Sequence, residues 1–133
     1  MDEQQSPQYD RLRPAPSERF AGQSHLFDLH RALETLRAES HPVRDGHRQV
    51  TIFHRAPISH VLFAFDEGGT LPAHSARGSV TIHILEGEFV LRVDDADHEM
   101  RAGQLLVLKP NIVHDVRALE RGAILLTVVM EKS

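Results

Sequence analysis

The chain has no cysteine and no tryptophan, and a single tyrosine, among its 133 residues. Without a thiol, disulfides, thiolate zinc sites and cysteine nucleophiles are all excluded. No apolar run approaches the ~18 residues that a membrane-spanning helix needs. The first twenty residues carry two early acids and no apolar segment, so no secretory signal is expected and a cytoplasmic location is. An excess of positive charge is missing too. Lys and Arg total 15 against 19 Asp and Glu, a net charge of −4, whereas a nucleic-acid-binding module needs a basic face to displace counterions. There is no phosphate-cradling glycine loop and no Gly-x-Ser-x-Gly elbow. Neither a nucleic-acid nor a membrane partner is expected.

What remains is an ordinary globular composition, 41% hydrophobic and 26% charged, in a length that suits one domain with one core. Histidine is the exception, with ten residues. It is the usual metal ligand and the usual acid or base near neutral pH, although most surface histidines do neither.

Residues 1–23 hold Pro7, Pro14 and Pro16 among aperiodic polar residues and read as a flexible or strand-swapped arm. Over 24–41 the apolar residues Leu26, Leu29, Leu33 and Leu36 recur at three and four residues, the helix period. Ser24 or Asp28 is placed to cap the start, and His41-Pro42 to end it. From residue 42 to 133 the period falls to two. Strands are predicted over 49–55, 58–65, 80–85, 88–93, 104–108, 114–119 and 123–130, separated by turns rich in Gly and Asp. Asp94-Asp95-Ala96-Asp97 reads as one of these turns, since it lacks the spaced oxygens of a calcium loop. The fold class is all-β, an antiparallel sandwich or barrel with one N-terminal helix. His47-Arg48 and His54-Arg55, with no aromatic residues to stack bases, read as a solvated basic face.

Five residues have informative spacing: Gly68, His74, Gly87, Gly103 and His114. Their pattern resembles the two motifs of the cupin superfamily of small jelly-roll barrels. In the first motif, Gly68, His74 and Gly87 stand at the family's positions, with Ala76 where a second His is usual and Val80 where a Glu is usual. In the second, Gly103 and His114 match, with Lys109, Asn111 and Ala118 at the remaining places. The resemblance covers about residues 48–130 and implies a single antiparallel jelly-roll, cupin-like β-barrel.

It also implies a divalent metal held by four side chains, of which this chain keeps His74 and His114, half a site. Two imidazoles fall short of the three protein ligands usual for catalytic zinc, and of the two-His, one-carboxylate face of non-haem iron. His83 should point outward by strand alternation, and so should Asp115. His60 shares a face with Leu62 and Ala64 and is a third candidate for the ligand site. Val80 and Ala76 make the interior more apolar, as in a small-molecule pocket. Three readings stay open: a small-molecule binder using His74 and His114; an enzyme of oxygenase or isomerase type, working by acid/base chemistry or recruiting a metal ligand from outside the motif; and an interaction module without a site. Open sheet edges and the apolar run 124–130 point to a homodimer.

Overall fold

The computed structural model describes residues 19–40 and 43–131. Among the described residues, the helix α1 (Leu29–Arg37) precedes nine strands. These are β1 (His47–Arg55), β2 (Ile58–Phe65), β3 (Thr70–His74), β4 (Gly78–Glu86), β5 (Glu88–Val93), β6 (Ala96–Arg101), β7 (Leu105–Leu108), β8 (His114–Ala118) and β9 (Gly122–Met130). They form a five-stranded sheet in the order β1-β2-β9-β4-β7 and a four-stranded sheet in the order β3-β8-β5-β6. Every named strand pair is antiparallel.

Alternation along each strand decides what lies between the sheets. Phe63, Phe65, Val80, Ile82, Ile84, Phe89, Leu91, Val116 and Ile124 close on one another in the interior core. The opposite face of the five-stranded sheet contributes Leu62, Ala64 and Ala123 to a second cluster, which Leu33 and Leu36 of α1 cover. The helix is held at its start by Asp28, whose side chain accepts from the Arg31 N–H at 3.1 Å. Such a cap satisfies one of the donors that a helix N-terminus leaves unpaired. At its last turn Arg37 reaches across to Glu86, with nitrogen–oxygen distances of 2.9 and 3.3 Å.

Several expectations are corrected. The helix is shorter than 24–41, because residues 24–28 are not helical. Leu26, which the period counted as an anchor, lies outside it and is 99% exposed. His41-Pro42 and residues 1–18 of the arm lie outside the described residues. At the end of that arm, Arg19 donates to the Thr51 carbonyl at 3.0 Å and Phe20 packs edge-on against Phe53, 5.3 Å between centroids.

Strands β3 and β6 were absent from the periodicity. Pro72 interrupts one, and the other is an edge strand, ADHEMR, whose residues are exposed apart from Met100. The Asp94-Asp95 turn is therefore tighter than expected, with Ala96 and Asp97 already in the ladder. His47 does not belong to a solvated face. It is 6% exposed, with its ring beside Phe63 and Phe65 and Nδ1–H donating to the Thr70 carbonyl at 2.9 Å.

Candidate ligand site at a cross-strand histidine pair

His74 ends β3 and His114 begins β8, and the register makes them direct cross-strand partners. The pairing is not a plain ladder. Leu71 opposes Val116 and His74 opposes His114, so three steps on β3 answer two on β8. That bulge resets the alternation and turns His74 to the side on which His114 lies. The two ring centroids are 4.2 Å apart, with the planes inclined at 56°.

Each ring is anchored the same way. His74 Nδ1–H donates to the Pro72 carbonyl at 2.9 Å, and His114 Nδ1–H to the Ile112 carbonyl at 3.0 Å. A carbonyl can only accept, so both Nδ1 atoms carry the proton. In the neutral tautomer each Nε2 is then a bare lone pair. His114 is 1% exposed, and its Nε2 is buried with no protein partner. A buried polar atom without a partner is costly and uncommon.

Burial pushes the His114 pKa below its ordinary 6.5; the Ile112 carbonyl opposes this, the His74 charge adds to it and Asp115 offsets part of it. His114 is therefore an acceptor at neutral pH and not a cation.

The turn leading into β8 has Asn111 in the left-handed region at φ 66°, its N–H on the Ala76 carbonyl at 2.8 Å. Asn tolerates that geometry, which is why the family's usual glycine can be replaced here. Val80 is buried in the interior core and Ala76 packs at its margin, so neither adds a donor atom.

His60 is not brought to the pair. It lies on the helix side of the five-stranded sheet with Leu62 and Ala64, Nδ1 2.8 Å from the Thr127 hydroxyl. His83 faces the same way, opposite Leu125, as alternation predicts. Asp115 lines an outer hollow of about 350 Å³ over the four-stranded sheet. That hollow and a second of about 340 Å³ near the end of α1 are lined by other residues than the pair.

Among the described residues no group of three His, Cys, Asp or Glu could hold a metal ion. Two imidazole nitrogens, with no carboxylate or third imidazole grouped with them, do not fit a metal held by protein ligands alone. No helix among the described residues is long and apolar enough to cross a membrane.

The family model described as Cupin domain matches residues 61–130. No curated protein matches the chain. Among solved structures it is similar to a conserved protein of unknown function from Streptococcus pyogenes, at 23% identity and a TM-score of 0.67, covering 84% of this chain and 92% of that one. It is similar to a cupin superfamily protein from Desulfitobacterium hafniense, at 18% identity and a TM-score of 0.64, covering 68% and 84%. A predicted oxalate decarboxylase from Thermotoga maritima shares the fold at 15% identity and a TM-score of 0.60, covering 64% and 81%. At these identities the structural likenesses show the fold alone.

Proposed function

The chain belongs to the cupin family, and from that premise we propose that it binds a small organic molecule at the His74–His114 pair. The observation that carries the reading is the bare, buried Nε2 of His114. An acceptor in that position calls for a donor, so the ligand brings an O–H or N–H group to it. His74 offers a second acceptor beside it and is only half-buried, which gives the ligand a route from solvent. The two rings are fixed by backbone carbonyls before any ligand arrives, so little ordering cost is left for binding.

A second reading rests on the same atom. A neutral imidazole shielded from water can also take a proton from a bound hydroxyl or carbon acid, so an acid/base reaction of isomerase type would need no further residue.

The test is an imidazole ¹⁵N spectrum of the full chain during titration with phenol and with glycerol, alongside metal content by mass spectrometry. The expected result is an Nε2 resonance of His114 that shifts saturably with a hydroxyl compound and is unmoved in His74→Ala, with metal well below one equivalent. Stoichiometric metal that disappears in the His74→Ala/His114→Ala variant would instead establish a metal enzyme with a recruited ligand.

We also propose that two copies pair through the outer face of β9, β4 and β7. Its facing rows are Thr127-Thr81-Val107 and Leu125-His83-Leu105, with no Lys, Arg, Asp or Glu among them. Leu105 is 57% and Val107 63% exposed, a combination that self-association would relieve. The opposite sheet turns Arg92, Asp97, Arg117 and Glu99 outward and offers no such surface. Sedimentation is expected to give a dimer that Val107→Arg dissociates; a parent that stays monomeric at high concentration rules this face out.

A further inference from the structure

Four strands place one row of residues side by side at the end of the five-stranded sheet nearest the α1 C-terminus. Arg48 of β1 opposes Ala64 of β2, Ala64 opposes Ala123 of β9, and Ala123 opposes Glu86 of β4. The row runs long, short, short, long. Two methyl groups stand between extended side chains, and at the Arg48–Ala64 end of the row lies a hollow of about 340 Å³, lined by Arg37, Arg48, Arg121, His47 and Asp66 among others.

Three guanidiniums thus stand with two carboxylates, Asp66 in the lining and Glu86 on Arg37, a local excess of positive charge in a chain whose net charge is −4. Arg37 is held in place by Glu86 and also donates to the Gly122 carbonyl at 3.4 Å. Arg121 stands exposed just before β9, and Arg48 keeps a contact of its own, so it contributes charge more than free donors. The local field is positive enough to act on Glu86, whose pKa is lowered by its bond to Arg37 against the cost of burial, with Arg121 and His30 adding to the effect.

We propose that this hollow is a second binding site, for a small multiply charged oxyanion. A guanidinium presents a planar fork of donors that matches the two oxygens of a carboxylate or phosphate. The volume lies at the small end of the ~300–1,000 Å³ typical of ligand pockets, which suits an anion of a few heavy atoms more than a nucleotide. The site lies on the helix side of one sheet, whereas the histidine pair belongs to the other, so it stands or falls independently of the reading given above.

The experiment is isothermal titration of the full chain with inorganic phosphate and with citrate, at ionic strength held constant with chloride. Saturable 1:1 heat is expected with at least one of them. Affinity should fall at least tenfold in Arg121→Gln and further in Arg48→Gln/Arg121→Gln, and should hold in Lys109→Gln, which removes an equal charge elsewhere. Absence of saturable heat with both anions overturns the proposal, and so does a loss in Lys109→Gln as large as that in Arg121→Gln. Circular dichroism confirms that the variants fold; Arg121 is exposed, so its single variant is the safe arm.

Discussion

Replacing His114 by leucine is expected to leave the barrel as stable as the parent, within about 1 kcal/mol at pH 7.5, while removing about a hundredfold of the affinity for any hydroxyl ligand that shifts its resonance. The two halves of this expectation have separate causes. Leucine has a similar volume and fills the space, so no large cavity opens. It forfeits the bond to the Ile112 carbonyl, but it also removes a buried acceptor that has no protein partner.

The acid limb should change as well. The folded pKa of His114 lies below the unfolded value of about 6.5. Above that value both states are neutral and the stability is intact. As pH falls from 6.5 toward the folded pKa, the unfolded chain takes up the proton first and stability is lost; the loss is complete below the folded pKa. His114→Leu removes that part of the slope. The fall below pH 4.5 that comes from Glu86, itself depressed by Arg37, remains. Urea denaturation at half-unit intervals between pH 3 and 8 measures both parts. A slope identical to the parent's between pH 6.5 and 5, or a loss beyond about 2 kcal/mol at pH 7.5, would make His114 a structural residue and not a ligand acceptor.

A large loss of stability is expected at Gly122. A Cβ there would stand 2.4 Å from the Glu86 carbonyl oxygen and 2.8 Å from the Phe89 ring. Phe89 is fully buried in the interior core, so it cannot swing aside without disturbing its neighbours. The Glu86 oxygen is backbone, fixed by the β4–β9 ladder. Gly122→Ala should therefore cost about 3 kcal/mol or more, and lower Tm by roughly 10 °C in a domain of this size.

Gly103 is the control, because its constraint is of the other kind. It has a φ of +92° but nothing within 4 Å of an added Cβ. Gly103→Ala meets only backbone strain, about 1–2 kcal/mol. Equal losses at the two positions would show that the approach of Gly122 to β4 is soft.

Most of the barrel was legible because alternation over five or more residues reports a half-buried strand directly. β2 and β5 were read to the residue. The two strands that escaped lack that signal for physical reasons. β6 is an exposed edge with a single inward residue, Met100, and β3 is broken by Pro72 and a bulge. The predicted helix runs too far because Leu26 falls into the period by chance, and only the Asp28 cap marks the true start.

At the site, spacing identified His74 and His114 and the register places them together. His60 could not be assigned a face, since a strand with apolar residues on both sides gives no sign of which side is interior. Nothing in the sequence signalled the Arg48 hollow. It depends on Arg48 and Ala64 from two strands standing in one row, and cross-strand register is invisible to a one-dimensional pattern.

The bulge between Leu71 and His74 has a consequence for how this protein can change. Substitutions along β3 leave the reading frame of inward and outward positions untouched, so the histidine pair tolerates ordinary sequence drift around it. Losing one residue at 72–73 changes the ladder but not the pair. With two steps on each strand the ladder becomes regular, and His74 still shares the face of Leu71, Val116 and His114. The extra residue is thus one that this strand can shed in a single in-frame codon deletion without parting the two imidazoles.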